Sequence, residues 1–124
     1  MEKKKIRSFT DLEAWREAHK LVLMIYKITD EFPRKEIFCL VSQMRRAAIS
    51  VSSNIAEGFS RNTTGEKCQF YAMALGSLTE LQNQLLVARD VKYIYKDKFV
   101  KIANQTVSVA KLINGLKRIK NTKY

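Results

Sequence analysis

Apolar residues recur three and four positions apart through four long stretches of the chain, the spacing that gathers them on one side of an α-helix. The first stripe is Leu12, Trp15, Ala18, Val22, Ile25, Ile28 and Phe32. Thr10-Asp11-Leu12-Glu13 at its start has the form of a capping box, with Thr10 as N-cap and Glu13 reaching back. Pro33 closes this helix at or before Phe32. The second stripe is Ile37, Leu40, Val41, Met44, Ala48, Val51 and Ile55, and Gly58 stands where a left-handed C-cap would end the helix. A second box, Thr63-Thr64-Gly65-Glu66, opens the third stripe of Phe70, Ala74, Ser77, Leu81, Leu85 and Ala88. Lys92-Tyr93-Ile94-Tyr95 breaks the pattern, and Phe99, Ile102, Thr106, Val109, Ile113 and Leu116 resume it. Lys117, Arg118 and Lys120 sit in the last turns, where cations interact well with the helix dipole. Helices of similar length joined by short loops pack as an antiparallel up-down four-helix bundle. The expected fold is therefore all-α, with one domain over residues 1–124.

The opposite faces of the middle helices carry unusually little charge. About a quarter to a third of the residues on a solvent-facing surface are charged. Between Glu36 and Glu57 the only charges are Arg45 and Arg46, and from Cys68 through Ala88 Glu80 stands alone. Leu75, Thr79 and Leu86 lie roughly opposite the core stripe of the third helix, and Phe38, Ile49 and Ala56 flank that of the second. A helix apolar on two sides is buried on two sides. Four helices leave no enclosed position, so a homo-oligomer is expected, with Leu75 and Leu86 at its interface.

The second helix also bears a polar stripe, Ser42, Arg46, Ser50, Ser53 and Glu57. Glu57 and Glu80, if buried, need cationic partners, and Arg45 and Arg46 are the nearest. The stripe reads either as an interface or ligand-gripping network or, more simply, as ion pairing that fixes helix register.

Composition narrows the class further. A chain of 124 residues with 46% apolar and 28% charged side chains is globular, and four Gly and one Pro suit long helices better than many tight turns. Met1-Glu2-Lys3-Lys4-Lys5-Ile6-Arg7 has no apolar run behind it, which argues against a secretory signal, and Leu21 to Tyr26 is too short to span a bilayer. Without an export signal, Cys39 and Cys68 are expected as reduced thiols in the cytoplasm. The net charge of +11 is concentrated: residues 92–124 hold nine Lys and Arg against Asp97 alone. Such a bias favours a polyanion such as nucleic acid, or serves solubility.

Catalytic chemistry finds little to work with. His19 is the single histidine, so neither a base-activated nucleophile nor the paired Glu-x-x-His motifs of a bundle metal site can be assembled. Two cysteines and one histidine do not complete a structural zinc site. Gly58, Gly65, Gly76 and Gly115 are isolated rather than grouped in a phosphate loop. No enzyme, cofactor or metal is expected.

One segment is distinctive: Gln43-Met44-Arg45-Arg46-Ala47-Ala48-Ile49-Ser50-Val51-Ser52-Ser53-Asn54-Ile55-Ala56-Glu57-Gly58, followed by Arg61. With Phe9-Thr10-Asp11-Leu12, Trp15 and Ala18 ahead of it and Ala74-Leu75-Gly76-Ser77-Leu78 and Glu80-Leu81 behind, it resembles the bacterial four-helix proteins encoded in intervening sequences of 23S ribosomal RNA genes. The resemblance implies a four-helix subunit of a ring-like homopentamer. It extends to the accessory proteins of diversity-generating retroelements, basic pentamers that work with a reverse transcriptase and its template RNA. The leading expectation is thus a ribosome-associated or RNA-binding oligomer using Lys101, Lys111, Lys117, Arg118 and Lys120. Tyr93, Tyr95 and Tyr124 are the few aromatics near this surface, so backbone recognition of structured RNA with little sequence preference is expected. The alternative is a protein-binding scaffold or adaptor, for instance for a reverse transcriptase, with no direct RNA role.

Overall fold

The computed structural model describes residues 5–119. Its helices are α1 Glu13–Thr29, α2 Leu40–Ser60, α3 Thr64–Asp90 and α4 Lys96–Lys117, with 3-10 turns at Phe9–Asp11 and Arg34–Glu36. No strand occurs among the described residues.

Leu12 sets where α1 begins. Its extended backbone (φ −74°, ψ 129°) breaks the helical path, and its side chain is buried in the core. The capping box therefore forms two residues earlier than Thr10–Glu13, around the 3-10 turn: the Asp11 carboxylate accepts the Ser8 amide at 3.1 Å and the Ser8 hydroxyl receives the Thr10 amide at 3.2 Å. Ala14, Ala18, Leu21, Val22, Ile25 and Ile28 then fill the buried side of α1.

Pro33 stops the helical run as expected, but α2 starts at Leu40 rather than near Ile37. The Cys39 backbone (φ −121°, ψ −104°) departs from helical values. Ile37 is consequently exposed instead of in the core, and Phe38 projects from the connection at 92% exposure instead of flanking a helix. At the other end α2 runs through Gly58 to Ser60, and Arg61 is its C-cap. Gly58 takes no left-handed conformation. Its role is a close approach, since a Cβ there would lie 2.6 Å from Tyr71 Cε1 on α3.

Thr63 caps α3 as the sequence indicates, with its hydroxyl 3.2 Å from the Glu66 amide and 3.0 Å from Glu66 Oε1. The buried stripe is shifted by one residue at two positions: Tyr71 and Leu78 are buried, whereas Phe70 and Ser77 are only half-buried. Lys92 ends the helix in the left-handed region (φ 69°). The Tyr93 and Lys92 amides reach back to the Ala88 and Arg89 carbonyls at 2.9 and 3.0 Å, the two bonds of a Schellman motif, here closed by a lysine where glycine is usual.

The helices pack in the pairs α1–α2, α2–α3, α3–α4 and α1–α4 around one continuous core. Leu21, Ile25, Met44, Ile55, Leu78, Leu81, Leu85 and Ile113 are fully enclosed; each such side chain contributes about 1.5–3 kcal/mol. Polar links join the pairs. Ser50 and Ser77 hydroxyls meet at 2.7 Å, Gln82 donates to Thr106 Oγ1 at 3.0 Å, and Gln105 donates to the Glu17 carbonyl at 2.9 Å. No helix among the described residues is long and apolar enough to cross a membrane.

Candidate functional site

The basic residues of α4 divide into two groups. Lys101 joins Lys27 and Lys98 around a groove of about 190 Å³ between α1 and α4, lined also by Met24, Ile28 and Ile102. Glu31 lies in the same groove and offsets part of its charge, pairing with Lys98 at 3.2 Å. Further along α4, Lys111, Lys117 and Arg118 surround an open depression with Asn114, and no carboxylate lines it. Helical spacing explains the grouping, because positions 111, 114 and 118 fall on one face. Lys111 and Arg118 are exposed and Lys117 half-buried. None of Lys101, Lys111, Lys117 and Arg118 has an ion-pair partner among the described residues. Lys120, Lys123 and Tyr124 lie outside the described residues.

The expected network of Arg45, Arg46, Glu57 and Glu80 does not assemble. Arg45 reaches the end of α1, donating to Thr29 Oγ1 at 2.9 Å and Asp30 Oδ1 at 3.0 Å, with its guanidinium 4.4 Å from the Tyr26 ring centroid. Arg46 and Glu80 are exposed, without an ion-pair partner among the described residues. Glu57 pairs with Arg61, one turn onward, at 2.8 Å, and its side chain is 51% exposed. The reason is position: Glu57 lies on the solvent side of α2, where water screens the charge and no buried counter-ion is required. A pair this exposed contributes under about 1 kcal/mol.

Leu75 is half-buried against the core of its own chain. Leu86 is 42% exposed and stands beside Val87 at 44%, with Met73 at 50% on the same helix. The outer side of α3, whose only charge between Lys67 and Arg89 is Glu80, is thus open along much of its length.

Two aromatic residues stand out where the chain turns. Tyr95 is 80% exposed at the N-cap of α4. Tyr93, by contrast, is committed: its hydroxyl donates to Glu36 Oε2 at 2.9 Å and its ring meets Phe32 at 5.2 Å. That hydrogen bond to a carboxylate, with burial, raises the Tyr93 pKa above the ordinary phenol value. Phe38 escaped the sequence reading because its hydrophobicity fits a helix flank. The Pro33-Arg34-Lys35 run just before it is the signal that it belongs to a connection.

No curated protein matches the chain. A solved structure, that of a protein of unknown function from the S23 ribosomal protein family of Bacteroides thetaiotaomicron, is similar with a TM-score of 0.78. It is 17% identical, and the match covers 85% of this chain and 95% of that one, which establishes the shared four-helix fold. The model of the 23S rRNA-intervening sequence protein family matches residues 10–115, the whole span from the first 3-10 turn to the last turn of α4, and the chain belongs to that family.

Proposed function

We propose that this protein is a single-domain, antiparallel up-down bundle that assembles as a cytoplasmic homopentamer and binds RNA through the outer surface of α4, without catalysis of its own. The observation that carries the RNA reading is the depression of Lys111, Lys117 and Arg118, three cations with no carboxylate among them. Lys101 adds a second, separate basic group nearer the start of the same helix. The antiparallel reading draws on Lys98, early in α4, meeting Glu31 just past α1, while Gln105 meets Glu17 near the start of α1. Self-assembly draws on the outer side of α3, where Met73, Gly76, Thr79, Asn83, Leu86 and Val87 are exposed and Glu80 is the only charge between Lys67 and Arg89. In a ring the basic surface repeats once per subunit, and weak phosphate interactions reinforce one another through avidity.

A titration of double-stranded RNA across a range of salt tests the reading. Wild-type affinity falls steeply as salt rises, because binding to phosphates releases counterions. A Lys101/Lys111/Arg118 triple alanine variant binds more weakly, and its log–log salt slope is shallower by about one unit for each phosphate it no longer engages. Salt-independent binding, or a variant equal to wild type, transfers the reading to a protein scaffold such as a platform for a reverse transcriptase.

A further inference from the structure

Phe38 and Tyr95 are the two most exposed large apolar side chains of the described residues, at 92% and 80%. They belong to different connections, α1–α2 and α3–α4, which the fold brings to one end of the molecule. The Tyr93–Glu36 hydrogen bond at 2.9 Å and the Phe32–Tyr93 ring contact at 5.2 Å lock the two connections together. Ile94 is buried at 5% and anchors the segment between Tyr93 and Tyr95. Both aromatic rings therefore project from a fixed base.

Their surroundings are cationic. Arg34 and Lys35 precede Phe38, Lys92 and Lys96 bracket Tyr95, and none of the four has an ion-pair partner among the described residues. Most nearby acids are engaged: Asp30 by Arg45, Glu31 by Lys98, Asp90 by Arg89, and Glu36 by the Tyr93 hydroxyl. Asp97 remains, in the first turn of α4, where the positive end of the helix dipole offsets it. Exposed rings beside unpaired cations match one ligand chemistry closely, a base to stack and a phosphate next to it. The base must be unpaired to present its face.

We propose that this end of the molecule is a stacking site for the unpaired nucleotides of single-stranded RNA, with Phe38 and Tyr95 taking bases and Arg34, Lys35, Lys92 and Lys96 the flanking phosphates. The proposal rests on the RNA reading above and adds to it a second surface with a different preference. The α4 surface serves the backbone of any RNA. The aromatic end selects strands that are open.

The test measures binding of labelled oligouridylate of about 15 nucleotides, a length within the range single-strand sites cover, and of a duplex of equal length. The proteins are wild type, Phe38→Ala, Tyr95→Ala and the double variant. Each substitution weakens oligouridylate binding about tenfold, in line with the stacking energy of one base, and changes duplex binding less than about twofold. Phe38→Trp keeps wild-type affinity. Melting temperature and particle mass stay at wild-type values, since both side chains are exposed. A double variant that binds oligouridylate like wild type overturns the stacking site, and the RNA reading still stands if the Lys101/Lys111/Arg118 variant loses duplex binding. Absence of binding to either RNA by wild type overturns both. Phe38→Ala that instead abolishes binding to phosphatidylcholine–phosphatidylserine vesicles, with oligouridylate unaffected, overturns the proposal in favour of a membrane contact. A fall in particle mass overturns it in favour of self-assembly.

Discussion

Gly58→Ala lowers the stability of the folded chain by about 1–3 kcal/mol, while Gly115→Ala raises it by up to about 1 kcal/mol. Both glycines are inside helices, so alanine brings the same gain in helix propensity at each. What differs is the space. A Cβ at 115 meets nothing within 4 Å, whereas one at 58 would lie 2.6 Å from Tyr71 Cε1, 2.9 Å from Tyr71 Cδ1 and 3.2 Å from Phe70 Cβ. The Tyr71 ring is buried at 5% exposure and cannot swing into solvent without leaving the core. Relief has to come from α2 and α3 moving apart. Denaturant melts of the two variants beside wild type give the signs directly. Equal stability at Gly58→Ala would mean that the ring yields freely.

On the proposed homopentamer, Leu86→Glu combined with Val87→Glu reduces the particle to the mass of the single 14.4 kDa chain. Both residues are more than two-fifths exposed within one chain, so the charges are tolerated by the isolated subunit. At an interface each would be a buried carboxylate without a partner, a penalty of several kcal/mol that pKa shifts only partly relieve, repeated at every junction of a closed ring. Light scattering at micromolar concentration reads the mass, and circular dichroism confirms that the helices persist. A double variant of unchanged mass would place the interface on another face. Leu75→Glu is the less informative choice, because Leu75 packs against the core of its own chain and the substitution would unfold it as well.

The periodicity of α1 and α4 made their buried sides readable, since polar residues there leave one apolar face. α3 resisted because it is apolar or uncharged nearly all round. Nothing in its pattern separates Phe70 from Tyr71, whereas Leu78 is the more apolar of its pair and fits the three-and-four spacing as well as Ser77; the structure buries Tyr71 and Leu78. Gly58 looked like a helix end because local rules give glycine that role, and only the ring on another helix reveals the other reason. The capping boxes show the same contrast. Thr63–Glu66 follows local rules, whereas Ser8–Asp11 displaces Thr10–Glu13 because Leu12 turns into the core. For the candidate site, charge alone singled out Lys111, Lys117 and Arg118, since their grouping follows from one helix. The aromatic end depends on two connections distant in sequence, and no local pattern joins Phe38 to Tyr95.

The join between α2 and α3 includes several small residues among its larger ones. Ser50 touches Ser77, Gly58 touches Tyr71, and Ala47 and Ala74 each lie one turn before these serines on the same helix sides. Glycine and alanine have no side-chain rotamers to freeze, so this seam forms with little loss of side-chain entropy, unlike a join built from leucine or methionine. Ser50, at the middle of α2, and Ser77, at the middle of α3, both lie in this seam. Amide protons in the middle of α2 and α3 should accordingly be the last to exchange with deuterated solvent, at rates set by global unfolding, while the first turn of α1 exchanges through local opening.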